Sequence, residues 1–420
     1  MRFLRQGLRF LRRELVSRPL PHGLLGWHYL EPDSGSGRDG HILLHRQLWW
    51  SGPRRWPRVL WLLVELWLWL RWVGFDAWRA SWRAVRHFGP RVRTSESIRL
   101  RQQAWRVLSL SLAWCIPPSE VYRLRLYRKS ARPLDYVFEH EVAAYHRWRS
   151  RPLGLTSTSL TLLQDKLALA TELTAAGLPM VPTLACLPRG QSAELGDWLE
   201  EQVPVFCKTR SGSAAVGAFT AWQEPRGLCG RMFDGRSLKT PAAVEQAWRR
   251  LLNQDDVLVQ PRLKNHPDLQ ALAVGDDAIT VRFISQRNGS RHDGRGSECL
   301  NATLEIPAGH DPRNGCPYYV ILPIDAAGGR LLQWSHDDLI EEEARRRDAR
   351  VNAMLTPESV VPEWTRLADC SLLAHQRFPD VWGIAWDWVV TPEGPQLLEG
   401  NSSWSATTLQ MLSGGLLAGQ

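Results

Sequence analysis

Residues 386–404, WDWVVTPEGPQLLEGNSSW, place two acids and an amide where a core strand would take apolar side chains. The segment reads as two short strands around a tight turn. With the turn at Pro392-Glu393-Gly394, Asp387 falls directly opposite Glu399. Cross-strand neighbours have Cβ atoms about 4.5–5.5 Å apart, and like charges so placed repel. Asn401, two residues beyond Glu399, shares its face. Two carboxylates and an amide oxygen on one side of a hairpin suit a hard cation. Mg²⁺ takes few protein oxygens and completes its shell with phosphate and water. The alternatives are a bulge that shifts the register by one and a pair of acids solvated on an edge hairpin.

A second constellation is VPVFCKTRSGSAAVGAF, residues 203–219. It reads as a strand ending at Lys208 and a loop rich in Ser and Gly. Small residues let backbone N–H groups turn toward phosphate oxygens, and a lysine at the strand end adds positive charge. The spacing is not GxxxxGK[ST], because the lysine precedes the loop. Taken alone, the loop reads equally as an exposed turn. Lysine is rare in the chain, five against 47 arginines. Codon bias accounts for the ratio, yet a surviving lysine marks places where a compact ammonium is needed.

Elements must position these groups. STSLTLLQDKLALATELTAAG, residues 157–177, reads as one capped helix ending at Gly177. LPMVPTLACL, 178–187, reads as a strand, and a helix is expected near Ser192 to Gln202. Thr240 caps a helix that starts at Pro241 and runs to about Asn253. DDVLVQPRLKNHPDL is a buried strand followed by a polar bend, in which His266 serves as turn or cap. AITVRFISQRNGS is a strand, and alternation sends Arg282 away from Val281 and Phe283.

The 420 residues suffice for two or three cored domains. Seven scattered cysteines, with no CxxC pair, argue against a disulfide framework or zinc knuckle and for a reducing compartment. The net charge of +9 is uneven: residues 1–150 carry 27 Lys+Arg against 11 Asp+Glu, and the remainder 25 against 32. No secretory signal is visible. Leu4, Leu8, Leu11 and Leu15, with arginines between them, form a short basic amphipathic helix. Residues 56–75, WPRVLWLLVELWLWLRWVGF, are the most apolar window, marginal for a spanning helix because Glu65 interrupts it. Ten of 22 tryptophans precede residue 83, and Arg54, Arg55, Arg58, Arg71, Arg79 and Arg83 flank the window. A helix lying in a membrane interface fits this pattern, and a buried core helix is the alternative. Interleaved aliphatics and the absence of a recognised motif count against nucleic acid. Linkers are expected near 31–41 and 149–158.

In chain order, a lysine on a helix at 166, Lys208 before a Gly/Ser loop, a hinge strand, then Asp387 and Glu399-Gly-Asn401 resemble the ATP-grasp ligases. VQPRLKNHPDL, TVRFIS, VPEW, AWDW and LLEGNSSW resemble the sugar-transfer-associated group in particular, over about residues 135–415. The resemblance implies an α+β class and an ATP-grasp fold, two α/β subdomains gripping ATP, behind a mainly helical Trp/Arg-rich N-terminal region. The expected parts are 1–134, 135–202 (pre-grasp), 203–265 (lid) and 266–420 (metal-binding). It implies that Lys166 and Lys208 hold nucleotide phosphates and that the loop from Ser211 to Gly217, with Gly212 and Ser213, closes over them. Gln260, Pro261, Arg262 and Leu263 would receive adenine, and Asp387, Glu399 and Asn401 one or two Mg²⁺. Arg282 and Lys208 are the catalytic candidates, stabilising charge on the transferred phosphoryl group.

Departures leave the second substrate open. The hinge has Gln260-Pro261 where many relatives carry an acid, Ala385 stands where several have arginine, and the usual GWD is AWD. HDDLIEEEARRRDAR, 336–350, is unusually charged and suggests an insertion or altered lid. The expected activity is carboxylate–amine or carboxylate–hydroxyl ligation through an acyl-phosphate, on a small or lipid-linked sugar substrate at the cytoplasmic membrane face. A nucleotide-binding scaffold with little turnover and an ATP-grasp sugar kinase are the alternatives. Trp404 is either a core plug or a wall of the acceptor pocket.

Overall fold

The computed structural model describes residues 15–16, 20–21, 24–30, 37–51, 58–191, 193–199, 203–212, 217–273, 275, 277–287, 296–310, 317–335 and 342–418. The chain forms two compact units, one of residues 1–149 with 403–420 and one of residues 150–402. The breaks expected from the sequence are at 134, 202 and 265.

The first unit is helical: α1 (Gly37–Trp50), α2 (Arg58–Arg71), α3 (Ala77–Glu96) and α4 (Leu100–Trp114). The expected linker at 31–41 is already helical from Gly37. The amphipathic helix expected at residues 4–15 lies, Leu15 excepted, outside the described residues. The apolar window forms α2 and a single π-turn, Trp72–Asp76. One face packs, with Leu68 and Trp72 fully buried. The opposite face is exposed. Among the described residues no helix is long and apolar enough to cross a membrane. Within this unit His45 is buried against Glu141, Nδ1 to Oε1 2.8 Å.

The second unit carries two antiparallel sheets. The first has six strands, β1 (Ala185–Leu187), β2 (Val205–Thr209), β3 (Phe219–Glu224), β4 (Gly227–Met232), β5 (Ser237–Leu238) and β6 (Val257–Pro261), in the order β1-β6-β2-β3-β4-β5. The second has β7 (Thr280–Arg287), β8 (Ser297–His310), β9 (Pro317–Pro323), β10 (Gly383–Thr391) and β11 (Gly394–Asn401), in the order β11-β10-β7-β8-β9. Its longer helices among the described residues are α5 (Ser157–Gln164), α6 (Lys166–Ala175), α7 (Pro241–Gln254), α8 (Glu342–Met354) and α9 (Trp364–Gln376). Antiparallel sheets with separate helices make this an α+β unit.

Three local expectations are corrected. The single helix over 157–177 is two, because Asp165 leaves the helical region and caps α6 by accepting from Leu167 and Ala168 N–H groups. The strand over 178–187 shrinks to β1 and an isolated bridge at Met180, since Pro179 and Pro182 offer no ladder donor. The helix near 192–202 is a 3₁₀ turn, Leu195–Trp198; residues 192 and 200–202 lie outside the described set. Other readings hold. Thr240 caps α7, accepting from Ala243 N–H, with Pro241 first in the helix. His266 caps the short helix Pro267–Gln270. The charged segment 336–350 is α8 from Glu342 onward, its acids paired with Arg345, Arg346 and Arg347 along its surface.

Candidate functional site

Strand alternation builds the site. In β2, Val205 and Cys207 enter the core under α7, and Phe206 and Lys208 turn to a cavity between the two sheets. Lys208 is buried, and burial, with Lys166 nearby, pushes its ammonium down to about 8 against the pull of Glu399 and Asp387. Gln260, Pro261, Arg262 and Leu263 line the same cavity. Val181, Phe206, Val389 and Leu398 supply its apolar walls, and no sequence signal marks them.

Asp387 does pair with Glu399, for a reason the sequence shows only in part. The turn contains two residues, not three, because Thr391 pairs with Gly394. A bulge between Asp387 and Trp388 restores the lost step and turns Leu398 into the cavity. Asn401 Nδ2 donates to Asp387 Oδ2 (3.2 Å) and to Glu399 Oε1 (3.3 Å). Gly400 lies opposite Trp386, and a Cβ there would meet the indole at 2.5 Å. Glycine between the acid and the amide is thus a packing requirement.

The tryptophans flanking Asp387 hold β10 rigidly. Trp386 Nε1 donates to Ser285 Oγ (2.9 Å) and Trp388 Nε1 to Ser371 Oγ (2.9 Å), all four residues fully buried. His375 extends the first link, with Nδ1 at 2.7 Å from Ser285 Oγ and Nε2 at 2.9 Å from Val381 O. The opposite face of β10 presents Asp387 between Ala385 and Val389.

Arg282, on β7 beside Asp387, donates to it through Nε (2.9 Å) and Nη2 (3.2 Å), and Nη1 lies 3.2 Å from Glu305 Oε1. Asp387 foremost holds the guanidinium pKa above its ordinary value. Burial pushes both Asp387 and Glu305 up, with Arg282 opposing. Glu305 escapes sequence reasoning because β8 reaches it only through strand pairing. Arg282 thus serves first as the carboxylates' partner.

Lys166, the first residue of α6, lies 3.7 Å from Glu399 Oε2 and donates to Gly212 O. Arg210 ties this helix start to β2, donating to Asp165 Oδ1 (2.9 Å) and Oδ2 (2.6 Å). That pair, first through the Arg210 hydrogen bond, holds Asp165 below the usual carboxylate range. Ser211 is drawn elsewhere: its N–H donates to Asp255 Oδ2 (2.9 Å), and its hydroxyl bonds the same carboxylate. Gly217 closes the loop beside Leu251 and Gln254 of α7. Ser213 lies outside the described residues. Trp404 is buried inside the first unit, its carbonyl bonded to His146 Nε2 (2.9 Å), as a core residue.

Among the described residues no group of three His, Cys, Asp or Glu forms a metal cage. Asp387, Glu399 and Asn401 instead offer two carboxylates and an amide converging within hydrogen-bond reach, an all-oxygen set that fits a Mg²⁺ sharing its shell with phosphate. Fitting it requires Asn401 to turn its oxygen inward.

Sequence comparison finds that the family described as "Sugar-transfer associated ATP-grasp" matches residues 158–420. No curated protein matches the chain. Solved structures with a similar arrangement include N5-carboxyaminoimidazole synthetase from Staphylococcus aureus in complex with ADP (11% identity, 59% of this chain and 46% of that one, TM-score 0.33). Another is D-alanine–D-alanine ligase from Bacillus anthracis in complex with ATP (12% identity, 58% and 56%, TM-score 0.32). The chain spans about half the length of each. Superpositions this loose transfer no residue roles.

Proposed function

Because the chain belongs to the sugar-transfer-associated ATP-grasp family, we propose that residues 150–402 bind ATP between the two sheets and use it to activate a carboxylate. One observation carries this reading: Lys166, Lys208, Asp387, Glu399 and Asn401, from four separate elements, converge beside the cavity lined by Gln260–Leu263. Adenine enters that cavity between Phe206, Val389 and Leu398. Pro261 has no N–H and Arg262 spends its own on Pro204 O, which leaves Leu263 to offer an amide.

Lys208 and Lys166 then face the phosphates as fixed positive charges, in a site preorganised before the nucleotide arrives. Asp387, Glu399 and Asn401 would hold Mg²⁺, which when bound neutralises charge on the phosphate oxygens. Arg282 fixes the Asp387 carboxylate, and its own charge lies beneath the transferring group. The γ-phosphoryl passes to a carboxylate oxygen and ADP leaves. A nucleophile, an amine or a hydroxyl, then attacks the acyl carbon, phosphate departs, and the nucleophile gives up its proton. Neither step needs a side-chain nucleophile; positioning and charge neutralisation carry the rate. The family's sugar-transfer association supports a carbohydrate-linked acid or acceptor.

The test is phosphate release from ATP by wild type and Glu399→Gln across a panel of sugar acids with amine and alcohol acceptors. Release that needs both acid and acceptor, and falls at least a hundredfold in the variant, supports ligation. Release without an acid removes it. The bidentate Arg282–Asp387 pair favours one alternative, a site that holds nucleotide with little turnover. ATP that stays bound and intact through the panel would select that reading.

A further inference from the structure

α2 is inside out for a helix of a water-facing unit. Its acid, Glu65, is buried, and burial, with Glu65 second, pushes the neighbouring Cys115 thiol up to about 12. Most of its aliphatic residues face out, while Leu68 packs inward. Val59, Leu63, Leu66 and Leu70 follow a 4-3-4 spacing, which is one stripe of a helix, and each is more than half exposed. The stripe continues on α3 through Trp78 and Trp82, 55% and 68% exposed. Trp78 lies eight positions after Leu70, about one more than two helical turns. The π-turn at Trp72–Asp76 absorbs the extra residue and returns Trp78 to the line of the leucines. An exposed apolar band of this length is unusual on a soluble surface and marks an interaction site.

Charge identifies the partner. Arg79, Arg83 and Arg86, all exposed, run along α3 beside Trp78 and Trp82. Up to residue 150 basic residues outnumber acidic ones by 27 to 11. Aliphatics in a row, tryptophans at one end and arginines alongside are the three layers of an interfacial helix: acyl chains, headgroup boundary and lipid phosphates. A second copy of the chain would supply the same arginines and so repel at the rim. We propose that α2 and the start of α3 lie flat in the surface of an anionic phospholipid bilayer, immersed along the Val59–Trp82 stripe without crossing it.

The experiment is flotation of the full chain with vesicles of phosphatidylcholine alone or with about one third phosphatidylglycerol, at low and high salt. The expected result is co-flotation with the anionic vesicles, weakened by salt. Leu63→Glu/Leu66→Glu and, separately, Arg79→Glu/Arg83→Glu each reduce vesicle partitioning at least tenfold. The Arg pair also removes the salt dependence. All these positions are exposed, and unchanged circular dichroism and thermal midpoint verify the fold. Wild type that stays at the bottom with both vesicles overturns the proposal. So does flotation unaffected by the Leu63/Leu66 pair. So does a stable dimer in vesicle-free solution that the same pair dissolves, because then a second copy covers the stripe.

Discussion

Lys208 is the residue on which the electrostatics turn. Its ammonium is buried and its pKa falls to about 8 before any phosphate is present. A polyanion beside it stabilises the charged form. Near pH 8.5 the empty site is therefore partly deprotonated, and binding ATP takes up close to one proton. Calorimetric titration in buffers of different ionisation enthalpy reads that proton directly. Lys208→Met should bind at least tenfold more weakly and take up none; equal uptake by the variant would place the titration elsewhere. Arg282 gives a second expectation. Removing it leaves Asp387 and Glu305, both already pushed up by burial, without their shared partner. Arg282→Met should cost about 1–3 kcal/mol at pH 8, the range for lost charged hydrogen bonds. Folded carboxyls with raised pKa values take up protons before unfolded ones do, so the deficit shrinks toward pH 5. Denaturant midpoints at the two pH values check both size and direction. The sequence singles out Asp387 and Glu399 because they interrupt apolar strand runs, Asn401 because it shares the face of Glu399, and Lys208 because it ends a strand before a Ser/Gly loop. It does not single out Glu305, which reaches Arg282 only through the pairing of β8 with β7; nothing local announces a partner 23 residues along the chain.

At the scale of elements, the hairpin β10–β11 is the device that spaces the acids. Its register depends on two compensating irregularities, the two-residue turn and the bulge at Leu398. Periodicity cannot expose such a pair, because their offsets cancel at Asp387 and Glu399 and differ only between them. The same bulge supplies an apolar wall for the cavity. Gly400→Ala puts a methyl into the indole of Trp386, which Ser285 and the buried surroundings hold in place. Overpacking of this kind costs about 1–3 kcal/mol. The expected outcome is a lower thermal midpoint together with weaker Mg²⁺-dependent nucleotide binding, since Glu399 and Asn401 flank the displaced residue. A variant as stable as wild type would show that Trp386 yields freely. The helix over 157–177 failed as a single element for a comparable reason. Asp165 has ordinary helical neighbours, and the cap it makes on Leu167 and Ala168 is reinforced by Arg210, 45 residues on, which no local pattern announces.

At the scale of the molecule, each unit carries buried groups that answer acid in opposite senses. In residues 150–402 buried His375 stays neutral down to about 4, and Arg210 holds Asp165 below the usual carboxylate range. Below the ordinary histidine value of about 6.5 the unfolded chain takes up a proton that folded His375 refuses. The His375 contribution is therefore present at neutral pH and lost as pH falls from about 6.5 toward 4, whereas Asp387 and Glu305 of the same unit, pushed up by burial, act in the opposite sense. The Asp165 contribution is lost in the same direction as that of His375, at lower pH. In the first unit His146, at about 4, acts likewise, but Glu120, pushed to about 7 chiefly by burial, acts oppositely. A folded acid of raised pKa adds stability as pH falls from about 7 to the ordinary carboxylate value. Hydrogen exchange of wild type and His375→Asn at pH 7 and 4.5, corrected for intrinsic rates, should show protection in β7 and β10 falling less in the variant. Equal losses would contradict the assignment. The alternation of strands and helices after residue 150 carried most of this unit's outline. The inclusion of residues 403–420 in the unit of residues 1–149 did not show, because no local pattern distinguishes a terminal segment that returns.

The central claim is that the lysines, the hinge and the Asp387–Glu399–Asn401 set form one nucleotide site. Titration of the full chain with ATP, with and without Mg²⁺, for wild type and Glu399→Gln tests it most directly. The account predicts saturable 1:1 binding that Mg²⁺ strengthens at least tenfold in wild type and leaves unchanged in the variant. Binding that is absent in wild type, or equally Mg²⁺-dependent without the Glu399 carboxylate, would contradict it.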